Sequence, residues 1–134
     1  QEDIKQLNIE QQIVFHGTLE AKDIATLLKE SDLFVLTSRF ENLPCVLIES
    51  ISAGVPIVST NVGGISEIVH SSFGQLVPTE NQFALVEAIK EELVRLDKYD
   101  SDVMHQKATE QFSYQAIGKK FSDIYESILW KHGS

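Results

Sequence analysis

The sequence has one cysteine, no long apolar run and few basic residues. Cys45 is alone among 134 residues, which excludes an internal disulfide framework and any multi-cysteine metal site and is typical of a reducing compartment. The longest apolar runs, such as residues 33–36, are far too short to cross a bilayer, and the N-terminus lacks a signal-peptide pattern. We therefore expect a soluble chain in the cytoplasm.

Basic residues are outnumbered by acidic ones. Eleven Lys and Arg against twenty Asp and Glu give a net charge of −9, which opposes binding to the phosphate backbone of nucleic acids. We expect no nucleic-acid partner, and we expect any bound phosphate to be held by local backbone geometry. The four histidines are scattered without ligand spacing, so we predict no metal. A Walker-type loop and a Gly-x-Gly-x-x-Gly fingerprint are both absent, which weighs against an NTPase or a dinucleotide enzyme.

Short β-rich runs alternate with longer helical patterns along the chain. Strands are predicted at residues 13–16, 33–37, 56–59 and 75–77. Helices are predicted at residues 23–30, 43–53 and 65–70. Three more are predicted towards the C-terminus: one begins with a capping box at Thr79 and Gln82, one ends near Gln111, and one is capped by Ser113. With 134 residues, of which 43% are hydrophobic, the chain is long enough to form one domain. The pattern predicts an α/β fold, a Rossmann-like doubly wound parallel sheet with C-terminal helices.

The most informative stretch surrounds two glutamates. Glu41 and Glu49 lie eight positions apart around a predicted helix start, where Pro44 fits the first turn. The free N–H groups of Cys45 and Val46 would point out of this helix start towards Glu41. Such a terminus favours an anion through its unpaired donors and its dipole. We hypothesise that a phosphate-bearing ligand is held here, with a carboxylate on either side.

Three loops are predicted at the carboxyl ends of the strands, which is where ligands bind in open α/β sheets. They comprise residues 16–19, 38–43 and 61–64, and Glu41 falls in the second. Periodicity alone therefore brings the glutamate motif to the expected binding edge.

The order of motifs from Ser38 to Val69 resembles a known family. Its parts are Ser38-Arg39-Phe40-Glu41, Glu49, Ala53-Gly54-Val55-Pro56-Ile57-Val58, Val62-Gly63-Gly64 and Glu67-Ile68-Val69. Together they resemble the donor-binding half of GT-B glycosyltransferases, and most closely the retaining family called group 1 or family 4. The resemblance covers residues 13–125 and implies that residues 1–134 are part of a C-terminal nucleotide-sugar-binding domain.

The resemblance implies transfer of a sugar, hexosyl-like, from a nucleotide diphosphate sugar to a glycan, lipid or other acceptor, with retained configuration. A UDP-sugar is the expected donor, and no cofactor is expected. Glu41, the candidate catalytic residue, would orient the sugar and balance positive charge at its anomeric carbon; we do not assign it as a nucleophile. Glu49 would hold the ribose hydroxyls, and Gly17 would lie close to the nucleobase. The donor-binding candidates are Glu49, Gly17, Asn42, Leu43, Cys45, Val46 and Arg39.

The sequence departs from the family in several places. Asn42 stands where Gly often follows the first Glu, and Cys45 stands where Gly or Asn is common, so sugar preference is not carried over. The family's donor domain opens with two further strand–helix units, the first supplying a basic Arg/Lys pair, and nothing before Ile13 supplies them. We expect an N-terminal domain, missing here, to bind the acceptor and to bring any peripheral contact with a membrane. We also expect these residues alone to be inactive.

The truncation has structural consequences. Residues 13–16 would lose their neighbouring strands, and they would then pair elsewhere or with a partner chain. Apolar groups such as Leu129 and Trp130 on the last helix would be exposed, and an exposed apolar patch favours association. We therefore expect a dimer formed through this surface.

Each assignment competes with a simpler structural interpretation. The glutamates can be ordinary helix-start carboxylates, since acids near an N-terminus are stabilising. A turn with positive φ explains Gly63 and Gly64 without a ligand. Glu67 can likewise be a helix cap, and Arg39 can be solvated or salt-bridged. His16 can simply be packed at the end of a strand, and Cys45 can be a small buried side chain. Asp100-Ser101-Asp102 is interpreted as a polar loop and not as a metal-binding Asp-x-Asp motif. The whole chain can likewise be a non-catalytic sugar-nucleotide-binding or protein-interaction module.

Overall fold

The structure is a computed structural model that describes residues 2–132, with side chains over residues 3–129. The helices are α1 (Glu2–Gln6), α2 (Ala21–Lys29), α3 (Cys45–Ser52), α4 (Ile65–Ile68), α5 (Gln82–Val94), α6 (Ser101–Phe112) and α7 (Tyr114–His132), and the strands are β1 (Phe34–Leu36), β2 (Ile57–Thr60) and β3 (Gly74–Val77). Short 3₁₀ turns lie at Glu10–Gln12 and Leu96–Lys98.

The three strands form one parallel sheet in the order β1-β2-β3, which confirms the predicted parallel α/β fold. All four residues of the central strand β2 are buried. Because successive side chains in a strand point to opposite faces, Ile57 and Val58 belong to different hydrophobic clusters. The apolar residues Val55, Ile57 and Val58 indicate its position in the sequence, whereas Ser59 and Thr60 are buried polar residues at its carboxyl end.

Helices cover both faces of the sheet, as a doubly wound arrangement requires. On one face, residues of α3, α4 and α6 surround Ile57 and Phe73, both fully buried. On the other face, α5 packs over Val58 and Val77. Since α3 is buried against the sheet along Leu47 and Ile51, its N-terminal turn is held at the carboxyl edge of the strands.

The predicted strand at residues 13–16 is wrong. In the described part of the chain these residues belong to no strand, and the side chains of Val14 and Phe15 are 72% and 67% exposed. An apolar β-branched run becomes a strand only when a neighbouring strand supplies its hydrogen bonds. Among the described residues, β1 pairs only with β2, and residues 13–16 instead lead through a turn at Gly17 into α2.

Two predicted helix starts differ from the structure. Pro44 precedes α3 as its N-cap residue, with φ −72° and ψ 115°, and does not occupy the first turn. Helix α5 is capped by Asn81, whose side chain accepts a hydrogen bond from the Ala84 N–H at 2.9 Å, and not by Thr79. Glu80 intervenes with φ +57°, so the chain turns sharply before the helix begins.

Three other predictions concern helix ends, of which two are confirmed and one is wrong. Gly54 follows α3 with φ +77°, as predicted for a glycine just past a helix end. Ser113 caps α7 by accepting a hydrogen bond from the Ala116 N–H. The predicted polar loop at residues 100–102 is wrong. Asp100 caps α6 by accepting hydrogen bonds from the N–H groups of Asp102 and Val103, and Ser101 and Asp102 are the first residues of that helix.

Helix α7 carries an apolar face that is open to solvent in the described chain. Exposed residues on it are Ile117, Phe121, Ile124, Tyr125, Ile128 and Leu129. The side chain of Trp130, also expected to be exposed, lies outside the described residues. Because contiguous exposed apolar surface favours association, we expect light scattering to show dimers that increase with concentration. A strict monomer at high concentration would contradict this expectation.

Candidate donor-binding site

The loops that follow β1 and β2 meet at the carboxyl edge of the sheet, as predicted. The Gly64 N–H donates to the Asn42 carbonyl oxygen at 2.9 Å, and the Thr60 hydroxyl donates to the Ser38 carbonyl oxygen at 2.6 Å. Two hydrogen bonds therefore hold the loop of residues 37–44 against the neighbouring segment. This loop carries Glu41.

Glu41 is half-buried, and its carboxylate is oriented from its own loop. The Ser38 hydroxyl donates a hydrogen bond to Oε1 of Glu41 at 2.6 Å. A hydrogen bond to an ionised acceptor is roughly twice as strong as one between neutral groups. Glu41 therefore has a defined orientation before any ligand arrives.

Gly63 and Gly64 allow the backbone of the loop that carries Glu41 to approach closely. Gly63 has φ +54°, and a Cβ atom on it would overlap the carbonyl oxygen of Glu41. Gly64 has φ −83°, so the prediction that positive φ explains both glycines is wrong for the second. A Cβ atom on Gly64 would instead lie 2.9 Å from the Asn42 carbonyl oxygen, which is too close.

The N-terminal turn of α3 opens beside Glu41. The first intrahelical bond runs from the Leu47 N–H to the Pro44 carbonyl, so the N–H groups of Cys45 and Val46 come before it. Pro44 provides no side-chain cap and the first turn holds no acidic residue. This is the arrangement of free donors that the sequence predicted for an anion. Cys45 is exposed, so its expected role as a small buried side chain is wrong.

The remaining loop candidates, Asn42 and Leu43, lie between Glu41 and this turn and are both exposed. The loop backbone at Asn42 is the part fixed by Gly64. The Leu43 side chain lies close to Gly64, since a Cβ atom on that glycine would be 3.0 Å from Leu43 Cδ1.

Glu49 lies in the second turn of α3 and faces a different surface from Glu41. It lines a groove of about 260 Å³ between α2 and α3, together with Ala21, Ala25, Lys29, Ile48, Ser52 and Ala53. The small alanines keep the groove open, and Glu49 is exposed in it. The two glutamates thus have separate environments on either side of one helix start.

Arg39 and Gly17 are the two remaining donor-binding candidates. Arg39 pairs with Glu80 at 3.7 Å, and both side chains are more than 70% exposed, so the salt-bridged interpretation matches the structure. An exposed pair of this kind contributes at most about 1 kcal/mol. Gly17 has φ +65° and nothing within 4 Å of where its Cβ would stand. His16 beside it is exposed and not packed.

Sequence reasoning assigned no role to Ser38 or Thr60. Ser38 stands three residues before Glu41, within reach of its carboxylate, and that spacing was the available signal. Thr60 is 22 positions away from its partner Ser38, and no local pattern reveals such a contact. Both residues belong to the site because of the fold.

The buried carboxylate of the described chain lies away from the site. Glu92 on α5 is 3% exposed and accepts a hydrogen bond from the Tyr99 hydroxyl at 2.6 Å. Burial raises the pKa of the Tyr99 phenol, and the hydrogen bond to Glu92 raises it further. This hydrogen bond links the end of α5 to the residue that follows the 3₁₀ turn at Leu96–Lys98, and it does not involve Glu41 or Glu49.

A family model described as glycosyl transferases group 1 matches residues 1–111. The chain belongs to this family. This group 1 chain is 30% identical over 131 residues to N-acetyl-alpha-D-glucosaminyl L-malate synthase of Bacillus anthracis, covering 94% of the chain and 33% of that protein. It is 28% identical over 139 residues to the putative colanic acid biosynthesis glycosyltransferase WcaL of Salmonella typhimurium, covering 93% and 33%.

Solved structures show the same fold. Sucrose-phosphate synthase from Thermosynechococcus elongatus has a TM-score of 0.81 at 21% identity, with 97% of this chain and 33% of that one covered. Anabaena HepE in complex with UDP has a TM-score of 0.79 at 25% identity, with 94% and 35% covered. The predicted resemblance to GT-B group 1 glycosyltransferases is confirmed. The group 1 chain spans about a third of the length of these relatives.

Two further observations concern the part of the chain that the structure describes. None of the helices in residues 2–132 is both long and apolar enough to cross a membrane. Over the same residues, His, Cys, Asp and Glu form no group of three or more placed to hold a metal ion. The absence of a metal from the working protein stays a prediction.

Proposed function

We propose that residues 1–134 are the nucleotide-sugar-binding part of a retaining, family 4 glycosyltransferase that transfers a sugar from a nucleotide diphosphate sugar to an acceptor. Membership of the group 1 family supports the reaction class. The observation that carries the proposal is the open N-terminal turn of α3, with Glu41 oriented on one side and Glu49 in a groove on the other.

The diphosphate would meet the N–H groups of Cys45 and Val46. As the bond between sugar and phosphate breaks, negative charge grows on the leaving diphosphate, and fixed donors aimed there stabilise the transition state more than the ground state. Leu43 and Asn42 would lie beside it on the same loop. Glu41 would orient the sugar and balance the positive charge that develops at the anomeric carbon.

The nucleoside would lie along the groove between α2 and α3. Glu49, exposed in that groove, would accept hydrogen bonds from the two ribose hydroxyls. The open space at Gly17 leaves room for a nucleobase near the start of α2. UDP is the proposed nucleotide, because similar structures of Anabaena HepE hold UDP and UDP-glucose.

The rest of the reaction is assigned to parts of the protein outside these residues. We propose that a further domain binds most of the acceptor, that the protein works in the cytoplasm, and that any contact with a membrane is peripheral. The purified 134 residues are expected to show no transfer with a range of sugar nucleotides and acceptors. Detection of a glycosylated acceptor by mass spectrometry would contradict this.

Calorimetric titration of the 134 residues with UDP and UDP-glucose tests the proposal. We expect one site with a dissociation constant on the order of 0.1–1 mM, since few contacts are available to a ligand of this size. Absence of binding for both ligands at concentrations well above this range would refute the proposal. Titration with inorganic phosphate is the control for a nonspecific anion effect.

A non-catalytic sugar-nucleotide-binding module is the second candidate. It is favoured by the position of Arg39, the basic residue nearest to Glu41 in sequence, because this side chain lies beside Glu80 and no salt bridge to Glu41 is found among the described residues. Binding of UDP-glucose without transfer by the longer protein would support this candidate over an enzyme.

A further inference from the structure

We propose that Thr60 and Ser38 form a hydrogen-bond relay that positions Glu41 for the donor sugar; this inference rests on the proposed function. Thr60 is the last residue of β2 and is 6% exposed. Its hydroxyl donates to the Ser38 carbonyl oxygen at 2.6 Å, and the Ser38 hydroxyl donates to Oε1 of Glu41 at 2.6 Å. Ser38 and Thr60 are positioning residues, and neither has to touch the ligand.

The relay acts on a loop that has no regular structure of its own. Residues 37–44 belong to neither a helix nor a strand. The loop is held near one end by Thr60 at Ser38 and further along by the Gly64 N–H at Asn42. Glu41 lies between these two anchors. Its backbone position is therefore set by the central strand and the loop that follows it.

The Ser38 hydroxyl then selects one orientation of the carboxylate. A glutamate side chain without such a partner samples many rotamers and loses that freedom on binding. The bond from Ser38 forms before the ligand arrives, so binding the sugar requires less ordering. Because Thr60 is buried at the end of the central strand, the orientation of Glu41 is tied to the sheet.

The relay is expected to affect the affinities for UDP and for UDP-glucose differently. The UDP part would be held by the α3 amides and Glu49, which the relay does not contact. The sugar would be held by Glu41. Loss of the relay is therefore expected to weaken UDP-glucose binding and to leave UDP binding nearly unchanged.

The test is an NMR titration of the full 134-residue chain with UDP and with UDP-glucose. Thr60→Val removes the hydroxyl at constant shape, Ser38→Ala removes the second step, and Thr60→Ser restores the hydroxyl. Thr109→Val is the matched control, since the Thr109 hydroxyl also donates to a backbone carbonyl, that of His105, but on α6.

Wild type is expected to bind UDP-glucose more tightly than UDP. Thr60→Val and Ser38→Ala are expected to lose roughly five- to tenfold in UDP-glucose affinity and less than about twofold in UDP affinity. Thr60→Ser and Thr109→Val are expected to match wild type. If Thr60→Val does not fold by circular dichroism, Ser38→Ala, at a half-buried loop position, decides the result.

Among the variants, three results would overturn the relay: equal losses for both ligands, no loss for either, or a Thr60→Ser variant as weak as Thr60→Val. Equal wild-type affinities for UDP and UDP-glucose would also overturn it but would leave nucleotide binding intact. Absence of wild-type binding to both ligands would refute the proposed function itself, and the relay with it.

Discussion

Replacement of Gly63 by alanine is expected to lower the free energy of unfolding by about 3 kcal/mol or more, from backbone strain and steric overlap together. Gly63 has φ +54°, a conformation that costs alanine roughly 1 kcal/mol. The added Cβ would also overlap the Glu41 carbonyl oxygen and lie 2.8 Å from the Glu41 carbonyl carbon, so two backbone segments would have to separate. Urea unfolding followed by circular dichroism measures this loss.

Gly17→Ala is the matched control for this substitution. Gly17 has a similar φ of +65°, but a Cβ there meets nothing within 4 Å. Its loss is expected to be only about 1 kcal/mol, the cost of the backbone conformation alone. The difference between the two variants measures the close contact between Gly63 and Glu41, and equal losses would mean that this contact does not limit the loop.

Glu49→Ala is expected to lower the affinity for UDP by about ten- to a hundredfold. A carboxylate that accepts hydrogen bonds from both ribose hydroxyls makes two charge-assisted bonds, and the loss of such bonds costs roughly 1.5–3 kcal/mol. The side chain is exposed in its groove, so the fold is expected to survive the change. Calorimetric titration with UDP measures the effect.

Glu91→Ala controls for the loss of one negative charge from this acidic chain. Glu91 is exposed on α5, far along the sequence from the groove. Its UDP affinity is expected to equal that of wild type. If Glu49→Ala also binds UDP as wild type does, Glu49 has no role at the ribose and is an ordinary helix-face carboxylate.

Much of the fold was predictable because its signals are local. The strands contain short apolar runs, at residues 34–36, 57–58 and 76–77, and their order along the chain implies parallel crossovers. The α3 terminus was recognisable from Pro44 and Gly54, although the proline lies one position earlier than predicted. Local patterns also placed Glu41 and Glu49 around that helix start.

The predictions that were wrong or missing concern features that depend on more than the local sequence pattern. Residues 13–16 have strand-like composition but no neighbouring strand among the described residues, and composition does not reveal a partner. Thr79 and Asn81 are both good capping residues, and the turn at Glu80 decides that Asn81 caps α5. The bond from Thr60 to Ser38 spans 22 positions and exists only because β1 and β2 are neighbours.

The two glutamates look alike in sequence, as carboxylates near one helix start. In the structure Glu41 is half-buried and accepts a hydrogen bond from Ser38, whereas Glu49 is exposed in a groove beside Lys29. This difference supports separate tasks for them, one at the sugar and one at the ribose.

The central claim is that the diphosphate of a nucleotide sugar lies at the start of α3. The most direct test is to map amide chemical-shift changes in the ¹⁵N-labelled chain as UDP-glucose is added. The largest changes are expected at Leu43, Cys45 and Val46, with smaller ones around Glu49. Changes confined to α5, α6 and α7, or no changes at ligand concentrations above those that saturate the calorimetric titration, would contradict the claim.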